Sequence, residues 1–256
     1  MDINAEIEKF GIIVIQSLKP TERKTGDELQ HDILQYKQMI PKDMFSDIKN
    51  VVNKNDFFDC MNDIARYARE HNHIFTLHFE THGGDKGVYL SSGECVTWEE
   101  FYNSLIPVNE ALCNNLLVVM AMCKGGAIVS YLDIHRRAPY RAFIGAFRDI
   151  SPDEIAKGFA EFYNDYVNSL DAFKCIDKLN NELNPNRRTF WMMTQKEVFN
   201  ECLNPNRDPA AFKKMVTKNI KVKNKSVGML VKIVAKYMEN DKKNNIDHFC
   251  FKDIYK

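Results

Sequence analysis

The 256-residue sequence lacks net charge, long apolar runs and paired cysteines. Its 35 basic residues balance its 35 acidic residues, which excludes an overall positive field that would draw it to nucleic acid or to an anionic membrane. Its purely apolar stretches fall far short of the roughly 20 residues that a membrane-spanning helix needs. Its first residues, MDINAEIEKF, are acidic and include no basic region followed by an apolar stretch, so we expect no secretory signal.

The cysteines are irregularly spaced and form no C-x-x-C pair. They are Cys60, Cys95, Cys113, Cys123, Cys175, Cys202 and Cys250. A chain of this size with 45% hydrophobic residues can build its core without disulfides, so a reducing, cytoplasmic location is expected. The segment REHNH has no cysteine or carboxylate at ligand spacing from its two histidines, and we expect neither a metal nor a cofactor.

The balanced charge conceals an asymmetry between the two ends of the chain. From Pro205 onward there are 13 Lys or Arg residues against 5 Asp or Glu residues, a net charge of +8, so residues 1–204 carry −8. The segment NPNRDPAAF marks a boundary, and we predict a domain over residues 1–204 and a basic helical extension over 205–256. The extension contains KSVGMLVKIVAKYMEN, an amphipathic helix without the interleaved aromatics of a single-strand-binding platform. We expect it to be solvated or to dock on a protein partner rather than on nucleic acid.

The first 204 residues alternate between strand-like and helix-like segments. Four short apolar runs are typical of strands: FGIIVIQS, HIFTLHFETH, NLLVVMAMC and YRAFIGAF. Their continuous apolarity is typical of strands covered on both faces, as in a parallel sheet flanked by helices. GVYLSSGECV predicts a hairpin, GGAIVSYLDIHRRA a helix and TFWMMTQ a further strand before the helix QKEVFNECL. The predicted order is β-α-β-hairpin-α-β-α-β-α-α-β-α, a layered α/β domain.

Two helices carry clear start signals. Thr97 and Glu100 form a capping box before a stripe of Trp98, Phe101, Leu105, Val108 and Leu112. Ser151 is the predicted N-cap of a second helix, with Pro152 in its first position and Glu154 closing the box. The predicted buried stripe of this helix is Ile155, Phe159, Phe162, Tyr166 and Leu170.

Two apolar runs end in a reactive side chain followed by glycine. LHFETHGG ends with His82, Gly83 and Gly84, and VVMAMCKGG places Cys123 just before a second glycine pair. The segment between the two runs contains one good helix, as a crossover between parallel strands does. Because the carboxyl ends of parallel strands share the edge at which α/β folds place ligand sites, we predict that His82 and Cys123 face each other there.

These residue types suit nucleophilic catalysis. A thiolate needs help from a histidine or a helix N-terminus, and a helix is predicted just after Cys123. Gly83 and Gly84 have no Cβ atom, so a backbone N–H can approach a developing oxyanion there. The N–H of Cys123 is a candidate for the second donor to that oxyanion. His82 would protonate the leaving amine. The alternative is that Cys123 is a small buried hydrophobe and that His82 merely ends a strand. His78 and Glu80 lie on the same face as His82; we expect His78 to be packed in the core or to support the site, and Glu80 to be a supporting partner of the site or to line the cleft.

The succession of these blocks resembles the caspase-like cysteine peptidases, and most of all bacterial CHAT-type sequences. The matching segments are IIVIQSL, TGDEL, LHFETHG, GVYLSSGECVTWEEF, NNLLVVMAMCKG, APYRAFIG and FYNDYVNSLD, over roughly residues 8 to 184. The resemblance implies a three-layer sandwich with a mostly parallel sheet, a catalytic dyad of His82 and Cys123, and an oxyanion hole from the backbone N–H groups of Gly83 and Cys123. Of the caspase pattern Q-A-C-x-G only Cys123 and Gly125 are kept, so aspartate specificity is not expected.

The resemblance also suggests where a substrate side chain would be held. In caspase-like folds the pocket is lined by the loop after the first strand, the residues before the nucleophile and the loop after the next strand. Here these positions include Glu22, Arg148 and Asp149 as candidates. Their mixed charges do not decide the specificity. An acidic pocket built from Glu22 or Asp149 would favour Arg or Lys before the cleaved bond, and an apolar pocket would favour Leu; we expect a basic or apolar residue there rather than an acidic one. Glu22 and Asp149 also have simpler interpretations, as a solvated loop charge and as a favourable charge near a helix N-terminus.

From the resemblance we expect a cysteine endopeptidase that performs limited proteolysis of a cytosolic partner protein. In bacteria such proteins commonly act in antiviral or cell-death systems, with an activating sensor and an operon-encoded effector, such as a pore-forming protein, as partners. A catalytically inactive scaffold that binds partners through its carboxyl-terminal helices is the alternative. A cysteine-dependent acyltransferase or ligase using the same two residues is a third hypothesis.

Overall fold

The computed structural model describes residues 9–37, 44–71, 73–131 and 136–202. The strands within these ranges are β1 (Lys9–Ser17), β2 (Met44–Asn50), β3 (His73–Gly83), β4 (Gly87–Tyr89), β5 (Cys95–Thr97), β6 (Leu117–Ala121), β7 (Ala142–Gly145) and β8 (Trp191–Thr194). The helices are α1 (Thr25–Glu28), α2 (Gln35–Lys37), α3 (Lys54–Glu70), α4 (Trp98–Ala111), α5 (Pro152–Ser169), α6 (Ala172–Leu183) and α7 (Gln195–Cys202). A π-helical turn, Leu29–Leu34, joins α1 to α2, and a 3-10 helix, Gly125–Tyr131, follows β6.

The central sheet has the order β2-β1-β3-β6-β7-β8. The pairs β1–β2, β1–β3, β3–β6 and β6–β7 are parallel, and only the β7–β8 pair of this path is antiparallel. The hairpin of β4 and β5 projects from the end of β3. The mostly parallel α/β sheet and the hairpin that the sequence predicts are therefore confirmed.

Helices cover both faces of the sheet, which explains why its strands are apolar without alternation. On one face Ile13, Leu77 and Val118 pack with residues of α3 and α4. On the other face Val119 and Ile144 pack with residues of α5 and α6. Each face buries its side chains in its own hydrophobic cluster, so the domain has three layers.

One strand was missed from sequence. The segment MFSDIKN forms β2, which pairs with β1 alone among the described strands. Most of its residues are only partly buried because it lies at the edge of the sheet. A polar, half-exposed edge strand lacks the apolar run by which the inner strands are found.

The predicted helix starts are confirmed. Thr97 with Glu100 and Ser151 with Glu154 each form a reciprocal capping box, and Pro152 begins α5. A third capping box, formed by Asn53 and Asp56, begins α3. Each box satisfies backbone N–H groups that the first helical turn leaves without partners.

The predicted stripe of α5 is correct except at its last residue. Ile155, Phe159, Phe162 and Tyr166 are buried, but Leu170 is 56% exposed. Leu170 adopts a left-handed conformation with φ of 51° and ends the helix, which turns its side chain away from the sheet.

The segment after Cys123 is helical as predicted over Gly125–Tyr131, where it is a 3-10 helix rather than an α-helix. Residues 205–256, including the predicted basic helix, lie outside the described residues. In the described ranges no helix combines the length and the apolarity that crossing a bilayer requires.

The left-handed cap of α5 should be improved by glycine. A residue with a Cβ atom pays about 1–2 kcal/mol in this conformation, whereas glycine does not. We expect Leu170→Gly to raise the free energy of unfolding by about 0.5–1 kcal/mol in urea titrations, after the entropy cost of glycine. Leu170→Ala, which keeps the Cβ atom, is the matched control. Equal stabilities of the two variants would contradict the role assigned to this conformation.

Candidate active site

The loops that follow β1, β3, β6 and β7 meet at the carboxyl edge of the parallel sheet. Glu80 of β3 lies opposite Ala121 of β6, the last pair of that ladder. His82 and Cys123 each follow two residues later, so the two strands reach them at the same level. Ser17, the last residue of β1, lies opposite Thr81. The topology therefore brings His82, Cys123 and the loop after β1 to one edge, as parallel packing requires.

The ends of β3 and β6 stay in contact beyond their ladder because Gly83 has no side chain. A Cβ atom at Gly83 would lie 2.0 Å from the carbonyl oxygen of Cys123, a distance that no packed atom can adopt. Gly84 is held on both sides, since its N–H donates to Gly87 O over 3.0 Å and its carbonyl accepts from Trp98 Nε1 over 3.0 Å. Of the two glycines after His82, Gly83 thus serves a close approach of two backbones.

The imidazole of His82 contacts a carboxylate. Its side chain is 54% exposed, and its Nε2 lies 3.1 Å from Oε1 of Glu22. The other oxygen of Glu22, Oε2, accepts the backbone N–H of Lys19 over 2.7 Å. The Lys19 N–H lowers the pKa of Glu22 from its ordinary value, and the bond to His82 lowers it further against the opposing effect of burial. Glu22 is therefore a carboxylate at neutral pH.

Cys123 lies against the loop that follows β7. Its side chain packs partly buried against the hydrophobic cluster on the α5 side of the sheet. Its Sγ accepts the backbone N–H of Ile150 over 3.3 Å and donates to the carbonyl oxygen of the same residue over 3.5 Å. Ile150 immediately precedes Ser151, the N-cap of α5. The Ile150 N–H could also donate to Cys123 as a thiolate, because a thiolate accepts hydrogen bonds more strongly than a thiol does.

The turn after Cys123 is tied to the same loop. Lys124 has a φ of 53°, an uncommon value for a residue with a side chain. Its N–H donates to Arg148 O over 3.0 Å, and the N–H of Gly126 donates to Ala146 O over 2.9 Å. These bonds hold a sharp turn directly after the candidate nucleophile, and such strained conformations cluster at functional sites.

The three candidates for the substrate pocket have different surroundings. Glu22 contacts His82, as described. Arg148 donates to Glu154 over 2.5 Å, to Thr189 over 2.9 Å and to the backbone oxygen of Asp149 over 2.7 Å. Its guanidinium is thus engaged in holding the loop after β7 to α5 and to the segment after α6, and it lowers the pKa of Glu154.

Asp149 lies on the same loop and acts on the residue after the candidate nucleophile. The side chain of Lys124 bonds to Asp85 over 3.0 Å, and this bond raises the pKa of Lys124. The negative charge of Asp149 adds to the effect of Asp85. Asp149 therefore faces a cation of this chain, whereas Arg148 is held by partners of its own.

A buried polar cluster lies on the same face of β3, below His82. His78 and Glu80 are both almost completely buried. His78 bonds to Glu80 Oε1 over 2.9 Å and to the hydroxyl of Tyr163 over 3.0 Å, and Glu80 Oε2 accepts the hydroxyl of Thr25 over 2.6 Å. Burial raises the pKa of Tyr163 well above its ordinary value. His78 therefore lies in the core as predicted, and Glu80 is bonded to His78 and Thr25.

An open cleft of about 490 Å³ lies between the α1 region and α5, next to these loops. It is lined by Arg23, Thr25, Glu28, Leu29, Asp32, Ile33, Glu80, Asp153, Ile155, Ala156, Lys157, Phe159 and Ala160. Arg23 forms ion pairs with Glu28 and Asp153 across it. The lining of the cleft thus combines apolar side chains with charges of both signs.

Comparison with known proteins shows the fold and not the chemistry. No family model matches the sequence, and no curated protein matches it. Among solved structures, the chain is similar to the Drosophila initiator caspase Dronc, with a TM-score of 0.55 and 12% identity over 74% of this chain and 81% of that one. The protein therefore has a caspase-like α/β fold, with a mostly parallel central sheet flanked by helices. The CHAT-type resemblance is not part of this finding.

Two contacts at the site were not predicted from sequence. The contact of Glu22 with His82 joins residues 60 positions apart through an irregular loop, and no periodic pattern reports it. The contact of Cys123 with Ile150 depends on the turn after β7. For the contact of Glu22 with His82, the sequence offered one local signal: Glu22 lies in the polar loop after the first strand, which was expected to border the site.

The close approach of Gly83 to Cys123 should not tolerate a side chain. We expect Gly83→Ala to lower the free energy of unfolding by about 1–3 kcal/mol, because the added methyl must displace the backbone of Cys123. Chemical denaturation measures this. Gly84→Ala is the control, since its methyl would meet only the ring of Tyr89, at 2.9 Å, which can move. If Gly84→Ala costs as much as Gly83→Ala, the backbone contact is not the constraint described here.

Proposed function

We propose that the protein is a cysteine endopeptidase in which His82 and Cys123 form the catalytic dyad. The observation that carries this proposal is the parallel pairing of β3 with β6. Two residues beyond the last ladder pair, one chain segment reaches His82 and the other reaches Cys123, at the same level. The contact between Gly83 and the Cys123 carbonyl keeps those two strand ends together. The caspase-like fold supports the proposal as an analogy of fold, which by itself does not establish activity.

In the proposed reaction the thiolate of Cys123 attacks the scissile carbonyl carbon, and a carbon–sulfur bond forms. The negative charge moves to the carbonyl oxygen, where the backbone N–H groups of Gly83 and Cys123 would stabilise it as an oxyanion hole. When the carbon–nitrogen bond breaks, the His82 imidazolium gives its proton to the leaving amine. Water then attacks the acyl carbon while His82 takes a proton from it. The carbon–sulfur bond breaks, the acyl product leaves as a carboxylic acid, and the thiolate and imidazolium are restored.

As the biological role we propose limited proteolysis of a cytoplasmic partner in a bacterial antiviral or cell-death system, with a sensor protein as activator. The support is the CHAT-type resemblance of the sequence blocks. For the residue before the cleaved bond we propose a basic or apolar side chain. The cleft beside the site supports this, because its lining includes apolar side chains such as Ile33 and Phe159 and the carboxylate of Asp32, whereas Glu28 and Asp153 are paired with Arg23.

A catalytically inactive scaffold is the second candidate function. The partial burial of Cys123 and its two hydrogen bonds to Ile150 favour it, because a thiol held in this way can be purely structural. The net charge of +8 over residues 205–256 would then serve to bind an acidic partner. The two candidates differ in the reactivity of one thiol.

Alkylation by iodoacetamide at pH 7 should separate the two candidates. In a peptidase, Cys123 exchanges a proton with His82 and should be alkylated faster than the other cysteines. Cys60 is the internal reference, since burial raises its pKa to about 11 and keeps it protonated. We expect His82→Ala to slow the alkylation of Cys123 by about tenfold or more, as measured by peptide mass spectrometry. His71→Ala, which alters an exposed histidine elsewhere, should leave the rate unchanged. If Cys123 is alkylated slowly and His82→Ala does not change that rate, the scaffold function is favoured.

Cleavage of a natural target is the direct test. The purified protein should be incubated with the proteins encoded beside it, with and without candidate activators. We expect one discrete cleavage of a neighbour, which Cys123→Ala abolishes and Cys95→Ala does not, because only the first removes the nucleophile. Mass spectrometry of the new amino terminus then gives the residue before the cleaved bond. Intact neighbours under every condition would argue against the proposed target class.

A further inference from the structure

We infer that Glu22 is a positioning residue for His82 and completes a Cys123–His82–Glu22 arrangement; this role rests on the proposed function. The contact between Glu22 Oε1 and His82 Nε2, at 3.1 Å, carries the inference. A carboxylate on one ring nitrogen fixes the orientation and the tautomer of an imidazole. With Nε2 donating to Glu22, Nδ1 is the nitrogen left to exchange a proton with the thiol and the leaving amine.

The carboxylate of Glu22 is fixed before it meets the imidazole. The Glu22 N–H donates to Lys19 O over 3.0 Å and closes a turn, while the Lys19 N–H donates back to Glu22 Oε2 over 2.7 Å. One oxygen of the carboxylate is thus held by its own loop, and the other contacts His82. Such a group loses little side-chain entropy when it orders the histidine.

The loop that carries Glu22 is anchored to the sheet by buried groups. Three residues after Glu22, the hydroxyl of Thr25 donates to Glu80 Oε2 over 2.6 Å, and Glu80 Oε1 lies 2.9 Å from His78 Nε2. Two residues further on, the N–H of Asp27 donates to the side chain of Gln16 in β1 over 3.1 Å. The loop that carries Glu22 is therefore bonded both to β1 and to β3.

The two glutamates, Glu80 and Glu22, have different roles in this arrangement. Glu80, 2% exposed, holds the loop to the core, and Glu22, on the surface of that loop, holds the imidazole. Both act on the α5 side of β3, toward which His78, Glu80 and His82 alternate along the strand. The positioning of His82 therefore extends from the sheet interior through Glu80 and Thr25 to Glu22.

The competing role for Glu22 is that of a substrate-pocket residue. A pocket carboxylate would act only when a substrate with a basic side chain is bound. Its removal would then raise KM for such a substrate and leave the free enzyme unchanged. A positioning carboxylate acts on the free enzyme, because it stabilises the imidazolium that accompanies the thiolate. The reactivity of Cys123 without substrate therefore discriminates between the two roles.

The test compares Glu22→Gln, Glu22→Asp and Glu22→Ala with the unaltered chain, using iodoacetamide as the probe. We expect Glu22→Gln to slow Cys123 alkylation at pH 7 by about tenfold, the change that one unit in the pKa of the paired groups produces. Glu22→Asp, which keeps the charge, should recover part of the rate. Glu99→Gln removes an exposed carboxylate from α4 and should have no effect. Nitrogen-15 NMR of His82 should show a proton on Nε2 in the unaltered chain and a mixture of tautomers in Glu22→Ala.

The outcomes separate this inference from the proposed function. If Cys123 is fast and depends on His82, but Glu22→Gln stays within about twofold and Glu22→Ala keeps the tautomer, the peptidase stands and the role of Glu22 is overturned. If Cys123 is slow and ignores His82→Ala, the proposed function fails, and the inference that rests on it fails with it. Circular dichroism of each variant, matching that of the unaltered chain, shows that a lost rate is not lost folding.

Discussion

The parallel pairing of β3 with β6 is the constraint on which the site depends. Both strands are covered on both faces, so their register is set by two layers of apolar side chains at once. A shift of either strand by one residue would exchange the layers and would move His82 out of level with Cys123. Beyond the last ladder pair, the absence of a side chain at Gly83 lets its backbone remain against Cys123. Register and close approach together bring a histidine and a cysteine to one edge without requiring any bond between them.

A second constraint is the buried polar cluster within an otherwise apolar layer. Burying His78 and Glu80 is costly unless their polar atoms find partners, and the contacts to Tyr163 and Thr25 supply them. The hydrogen bonds of such a cluster have preferred directions, whereas hydrophobic packing has none. It specifies which residue of the loop after β1 must approach the sheet, and so places the rest of that loop. The core thereby determines the position of a surface carboxylate.

The sequence predicted those parts of the structure that depend on periodic or local patterns. Continuous apolar runs indicated the inner strands, and the capping boxes at Thr97 and Ser151 marked the starts of α4 and α5. The edge strand β2 was missed because half-exposed strands carry polar residues. Leu170 was misplaced because helical periodicity says nothing of the left-handed residue that ends a helix. The contact between Glu22 and His82 depends on the path of an irregular loop, which no residue pattern specifies.

Each group at the site is held by hydrogen bonds within its own loop or to a neighbouring loop. Glu22 is held by Lys19, Cys123 by Ile150, and the loop of Ile150 by the pairing of Arg148 with Glu154. In the proposed reaction, groups held in this way would need little rearrangement to reach a reactive geometry. The cleft between α1 and α5 is lined partly by Thr25 and Glu80, which anchor the loop of Glu22, and partly by residues of α5 such as Ala156 and Ala160, which can be altered without changing that anchor. A fold of this kind can therefore keep one arrangement of reactive groups while the side chains that select a substrate change around it.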